Sequence, residues 1–277
     1  MKGLIVAAGY GTRFLPVTKT IPKEMLPLID KPSIAFIVEE FIASGIDEIL
    51  IITSRRKKML DDFFDREIEL EGVFEAEGNE LKAAKIKPYD AKFFFVRQQE
   101  MMGTGHALMQ ARPMLDGAPF VVAYPDDLHF GEKPLAGQLI EKYNETGCSV
   151  MATIHNPPNL ERYGILKLAA DNLHVTDIVE KPEPGTAPSC EASIGRYLYT
   201  PELFNYLEEG WEKHSGGEYY HTYALNKLMS KGKVVYKETE GERLDTGAPS
   251  GYLRAILKYA KQDPELAAVM REELSSL

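Results

Sequence analysis

Apolar runs and helix-patterned segments alternate along the first half of this chain, and that alternation constrains the fold more than any other feature. Residues 3–8 read as a buried strand. Ile34, Ile37, Val38 and Phe41 then recur at helical spacing, with Ser33 as the expected N-cap and Gly45 just past the end. Glu48–Thr53 is a second apolar strand. Met59, Leu60, Phe63 and Phe64 form two i,i+4 pairs on the helix that follows. Lys92–Arg97 reads as a strand, 107–115 as a helix and 120–124 as a fourth strand ending in Pro125-Asp126-Asp127. This alternation predicts an α/β class with a mostly parallel sheet covered on both faces.

The second half changes character. Residues 149–154, 165–168, 174–179 and 193–199 read as shorter strands joined by turns containing Pro, Gly and Asn. Residues 201–209 and 223–230 read as helices and 233–237 as another strand. Pro249 opens a helix carrying Leu253, Ile256, Leu257 and Ala260, at a position proline favours. The charged stretch 67–90 is expected to be a partly helical surface insertion. One domain over 1–262 and a C-terminal helix over 263–277 account for the chain. Leu266, Val269 and Met270 on that helix either meet another subunit or cover the chain's own core.

The loop after the first strand narrows the chemistry. Gly9-Tyr10-Gly11-Thr12-Arg13 exposes backbone N–H groups at a strand end, where an anion can approach closely because glycine lacks a Cβ. Arg13 and Lys23 place cations beside it, and phosphate is the natural partner. Taken singly, the glycines also read as a tight turn and the two cations as solvated charges. A dinucleotide fingerprint needs a third glycine where Phe14 stands, and no G-K-[ST] of a Walker A loop is present. A nicotinamide-dependent reductase is therefore disfavoured.

Other carboxylates sit where ligands bind in open α/β sheets. Asp126 and Asp127 follow an apolar strand, and Asp245 lies between a strand and a helix. Divalent hard cations take such carboxylates together with phosphate oxygens. A turn carboxylate or a helix cap explains each of them equally well in isolation. Glu180-Lys181 ends another strand and offers a hydroxyl acceptor beside a phosphate partner, or a plain surface ion pair. Gln98, with Gly103 opening the next helix, suits the edge of a pyrimidine.

Six histidines show no metal-ligand spacing, and His106 reads as a packing or capping residue. Cys148 and Cys190 read as two packing thiols of a reducing cytosol. A net charge of -10 argues against nucleic acid as a partner. The sequence carries no signal-peptide pattern or membrane-length apolar run, so a cytoplasmic protein is expected.

Together these residues resemble the bacterial UTP–glucose-1-phosphate uridylyltransferases (UDP-glucose pyrophosphorylases) of the sugar-nucleotidyltransferase superfamily. The resemblance rests on the segment from Ala7 to Pro16 and on Pro22-Lys23-Glu24-Met25-Leu26-Pro27. Val96-Arg97-Gln98, Gly103 to Ala107, Pro125-Asp126-Asp127, Glu180-Lys181-Pro182 and Ile194-Gly195-Arg196-Tyr197 follow in order. It implies a Rossmann-like nucleotidyltransferase fold with a mixed sheet and a sugar-binding half from about residue 149. It further implies that Ala8, Gly9, Gln98 and Gly103, with Gly11 and Thr12, bind the nucleotide. Arg13 and Lys23 hold the triphosphate and the departing pyrophosphate. Asp126 and Asp245 hold Mg²⁺, while Gly164, Glu180, Lys181 and Gly195 bind glucose 1-phosphate.

The resemblance implies UTP and glucose 1-phosphate as substrates and a homodimer or homotetramer as the assembly. The same reaction with another sugar 1-phosphate or with dTTP is an alternative, and a non-catalytic sugar-nucleotide sensor is a third reading. The chain departs from the family pattern at Tyr223, at Cys190 and in the Asp-Thr-Gly of 245–247.

Overall fold

The computed structural model describes residues 1–115 and 117–275. Its strands are β1 (Lys2–Val6), β2 (Pro27–Leu28), β3 (Lys31–Pro32), β4 (Glu48–Thr53), β5 (Lys92–Arg97), β6 (Phe120–Ala123), β7 (Asp127–Phe130), β8 (Ser149–His155), β9 (Gly164–Leu168), β10 (Val175–Glu180), β11 (Glu191–Tyr199), β12 (Val234–Glu238) and β13 (Glu242–Asp245). The helices are α1 (Ser33–Ala43), α2 (Lys58–Phe64), α3 (Ile68–Ala76), α4 (Glu80–Lys85), α5 (Thr104–Leu115), α6 (Leu135–Thr146), α7 (Glu202–Glu212), α8 (Thr222–Ser230), α9 (Pro249–Ala260) and α10 (Pro264–Leu274). The alternation expected from the sequence is present.

Nine strands form one sheet in the order β10-β9-β11-β6-β1-β4-β5, with β8 also paired to β11 and β12 to β8. β6, β1, β4 and β5 run parallel. β11 then turns antiparallel to β6, β8 and β9, so the sheet is mixed. The chain builds outward from β1 to β4 and β5, then crosses to the other side of β1 for β6. The order therefore reverses between β1 and β6, and a crevice opens at the carboxyl ends of those two strands.

Alternate residues of the parallel strands feed two separate cores, because successive side chains point to opposite faces. Ile5, Ile49, Ile51, Val121 and Ala123 pack with Ile34, Ile37, Val38 and Phe41 of α1 and with Leu135 and Leu139 of α6. Leu4, Leu50, Ile52, Phe120 and Val122 pack with Leu108, Ala111 and Leu115 of α5 and with Leu203, Phe204 and Leu207 of α7. Near-continuous apolar strands follow from this two-sided burial.

Several local expectations are corrected. Ser33 is the first helical residue of α1 rather than its N-cap, and its hydroxyl donates to the Glu24 carbonyl at 3.0 Å. Cys148 is half-buried but Cys190 is exposed, so only the former is a packing thiol. The helix α6 and the two-stranded sheet β7–β13 were not anticipated. Segment 67–90 carries α3 and α4, neither of which buries a residue. α10 also buries none, and Val269 is exposed. Residues 276 and 277 of the expected C-terminal helix lie outside the described residues. Among the described residues, no helix is long and apolar enough to cross a membrane.

Candidate active site

The site grows from the end of β1. Ala7 extends the strand ladder through its N–H to the Ile52 carbonyl at 2.8 Å, and Ala8 is still buried. The chain then turns through Gly9 and Gly11. Gly11 has φ +69, a conformation that favours glycine, and a side chain there would meet Lys23 Cβ at 3.2 Å. Thr12, Arg13 and Phe14 form a single 3₁₀ turn with no buried residue. Phe14 sets its ring edge-on against Tyr252, 5.6 Å between centroids. The Thr18 hydroxyl donates to the Gly11 carbonyl at 2.8 Å and ties the loop back on itself.

The segment that carries Lys23 is anchored from below. Glu24 is 1% exposed and Lys57 is 5% exposed. Lys57 Nζ donates to both Glu24 carboxylate oxygens at 2.8 Å and also to the Ala7 carbonyl. Burial holds the Lys57 ammonium below its usual pKa, against the pull of Glu24, and neighbouring Lys23 adds to the depression. One ammonium thus joins the end of β1 to the lysine-bearing segment. Lys57 was missed from sequence, since it sits in an ordinary basic run.

Beside this anchor, Lys23 Nζ donates to Asp126 Oδ2 at 2.7 Å. Asp126 follows β6, and its carbonyl accepts from Thr246 N–H at 2.8 Å, which brings the end of β13 to the end of β6. Asp245 Oδ1 accepts from Gly247 N–H at 2.9 Å, and Arg13 Nη1 donates to the Gly247 carbonyl at 3.1 Å. A carbon added at Gly247 would lie 2.9 Å from Asp126 Oδ2, 3.0 Å from Asp245 Oδ1 and 3.2 Å from Arg13 Nη1. Two carboxylates and a guanidinium therefore face one point. Burial alone would raise the Asp126 pKa, but Lys23 and then Arg13 outweigh it and hold the carboxyl below its ordinary range. The donor set is all oxygen, the chemistry of a hard divalent ion such as Mg²⁺. Ala248 rather than Asp245 occupies the N-cap position of α9, so capping does not account for Asp245.

A pocket of about 230 Å³ on the same sheet edge is lined by Ala8, Gly9, Tyr10, Gln98, Gly103, Thr104 and Glu218. Gln98 is 4% exposed, and its Nε2 donates to the Gly103 carbonyl at 3.1 Å and contacts His106 Nδ1 at 3.1 Å. Those contacts occupy the amide nitrogen and orient Oε1 as an acceptor with no hydrogen bond among the described residues. Gly103 has φ +93, and a side chain there would meet the Tyr219 carbonyl at 2.5 Å. The backbone of the loop before α8 closes this end of the pocket. His106 supports Gln98 and packs on Trp211. Gly11 and Thr12 are not among the residues lining this pocket; they lie on the adjoining loop toward Lys23.

The remaining candidates lie in the second half of the chain. Glu180 of β10 pairs in register with Gly164 of β9, and a side chain at Gly164 would meet Glu180 Oε2 at 3.0 Å. Lys181 has φ +47, its N–H donates to the Tyr163 carbonyl at 2.9 Å, and its exposed ammonium lies 4.0 Å from Glu180 Oε1. Gly195 N–H donates to Asp127 Oδ2 at 2.8 Å, and a side chain at Gly195 would meet that same oxygen at 3.0 Å, so the donor is committed and the missing side chain makes room for Asp127. Asp127 Oδ1 also accepts from Arg243 Nε at 2.8 Å. Asp127 and Arg243, neither assigned from sequence, couple Gly195 of β11 to β7, which follows Asp126, and to β13, which ends at Asp245.

A family model described as Nucleotidyl transferase matches residues 2–262. The UTP–glucose-1-phosphate uridylyltransferase of Staphylococcus epidermidis is 40% identical over 282 residues, covering 100% of this chain and 98% of that protein. That of Staphylococcus haemolyticus is 42% identical, covering 99% and 95%. A UTP-bound UGPase from Acinetobacter baumannii has a similar structure, with a TM-score of 0.89, 31% identity, and coverage of 100% of this chain and 99% of that one. The chain belongs to the nucleotidyl transferase family and is an enzyme of that class, with uridylyltransferases as full-length relatives.

Proposed function

We propose that this enzyme transfers UMP from UTP to glucose 1-phosphate, forming UDP-glucose and pyrophosphate. The observation that carries the reading is the meeting of Asp126, Asp245 and Arg13 beside Gly247, with Lys23 bonded to Asp126. The names of its full-length relatives support the choice of substrates.

In this reading a phosphate oxygen of glucose 1-phosphate attacks the α-phosphorus of UTP. The bond from that phosphorus to the oxygen bridging to the β-phosphate breaks, and pyrophosphate leaves with the electron pair. A phosphate monoester has its second pKa near ~6, so the nucleophile is mostly dianionic at neutral pH and no proton transfer is needed. The obstacle is repulsion between two polyanions, which positioned cations and exclusion of misaligned approaches relieve.

Arg13 and Lys23 take the triphosphate and the leaving pyrophosphate. Lys181 takes the sugar phosphate, and Gly164, Glu180 and Gly195 receive the sugar. Ala8, Gly9 and Gly103, with Gly11 and Thr12 on the phosphate side, hold the nucleotide while Gln98 Oε1 accepts from the pyrimidine N3–H. Asp126 and Asp245 would hold Mg²⁺, which when bound supplies charge neutralisation on the phosphates. The reading includes a catalytic domain over 1–262, action in the cytoplasm and a homodimeric or homotetrameric assembly.

Pyrophosphate release measured across UTP, dTTP and CTP with a panel of sugar 1-phosphates tests it. Fastest release with UTP and glucose 1-phosphate is expected. Release with another pair at a higher kcat/KM contradicts the assignment of substrates.

A further inference from the structure

A cavity of about 320 Å³ opens on the far side of the Asp245 strand end, lined by Arg162, Arg243, Asp245, Ser250 and Arg254 among others. Arg243 is committed: it bonds Asp127 at 2.8 Å and lies 3.8 Å from Asp245 Oδ2. Arg162 and Arg254 are not. Both are exposed, and neither has an ion-pair or hydrogen-bond partner for its guanidinium among the described residues. The two guanidinia reach one concavity from separate elements of the chain.

We infer that this cavity binds the phosphoryl group of a small phosphorylated ligand, distinct from either substrate position. Three features select that chemistry. Guanidinium groups from two separate elements, the turn before β9 and the first turns of α9, match the charge and the several acceptor oxygens of a dianion. α9 begins at Pro249 with no side-chain cap, so its first-turn N–H groups reinforce the same preference. The volume is at the small end of ligand pockets, the scale of a small phosphorylated molecule. The cavity adjoins the reaction centre through Asp245 yet uses none of the side chains assigned to UTP or to the sugar phosphate.

Equilibrium dialysis of the full-length enzyme with radiolabelled inorganic phosphate, without nucleotide, tests the inference. The arms are the parent enzyme, Arg162→Gln/Arg254→Gln and Lys181→Ala. Loss of two charge-assisted contacts predicts affinity weakened by at least about tenfold in the double variant. Lys181→Ala should retain this binding. Turnover with UTP and glucose 1-phosphate should be unchanged in the double variant, which also reports that it folds.

Displacement of the label by a hexose 6-phosphate at lower concentration than unlabelled phosphate supports an organic phosphate as the ligand, whereas equal displacement supports the free ion. Phosphate affinity unaltered in Arg162→Gln/Arg254→Gln, or lost only in Lys181→Ala, overturns the site. Failure of Lys181→Ala to impair sugar-phosphate use would instead count against the proposed reaction.

Discussion

Lys57 and Glu24 form an ion pair sealed beneath the first loop, with the same ammonium bonded to the carbonyl that ends β1. The pair fixes the height of the Lys23 segment relative to the sheet. Removing one partner strands the other charge out of water, so Lys57→Met should destabilise the enzyme by about 3–5 kcal/mol. Replacing both, as Lys57→Met/Glu24→Leu, should restore most of that stability while leaving kcat depressed, because the tether between Ala7 and the Lys23 segment is gone. Urea unfolding midpoints and steady-state rates check both halves of the expectation.

Gln98 gives the nucleotide pocket a direction. With Nε2 held by Gly103 and His106, Oε1 is an acceptor, which suits uracil or thymine and opposes cytosine, whose N3 also accepts. Gln98→Ala should raise the KM for UTP about ten- to a hundredfold, the worth of one or two buried hydrogen bonds. It should also narrow the preference for UTP over CTP. An unchanged UTP:CTP ratio of kcat/KM would show that the base is read elsewhere.

His221 makes the fold acid-sensitive. Burial pushes its imidazole down to about 4 from the usual 6.5. Its Nδ1 pairs with the Thr104 hydroxyl at 3.0 Å, which ties the start of α5 to the start of α8. The unfolded chain therefore binds this proton more readily than the folded one between those values. The His221 contribution to stability should be constant above pH 6.5 and fall as pH drops from there toward about 4. In His221→Phe that contribution to the slope should vanish, as read from chemical denaturation across the window.

Much of this architecture was visible in the pattern of residues. β1, β4 and β6 are buried on both faces, so each is a near-continuous apolar run; β5 is apolar too but lies half-buried at the sheet's edge, and helix periodicity marks α1, α5 and α9. The small sheet β7–β13 was not visible, because Asp127–Phe130 and Glu242–Asp245 are four residues each and mix charges with apolar side chains. The same limit applies at the site. Asp126 and Asp245 stood out as carboxylates at element ends. Asp127, Arg243 and Lys57 act through partners 116, 68 or 50 positions away in sequence, and no local spacing encodes such a pairing. Glu24 illustrates the ambiguity: inside a motif rich in site residues, its carboxylate is buried against Lys57 and does not reach the cleft.

The convergence of Asp126 and Asp245 on one point carries the whole account, and divalent-ion binding measures it most directly. Mn²⁺, followed by electron paramagnetic resonance in the full-length enzyme with UTP present, reports the ion without any need for turnover. Asp126→Asn and Asp245→Asn should each weaken Mn²⁺ binding severely, and the double variant should be little worse than either alone, as two ligands of one ion require. Wild-type Mn²⁺ affinity in both single variants would contradict a shared site.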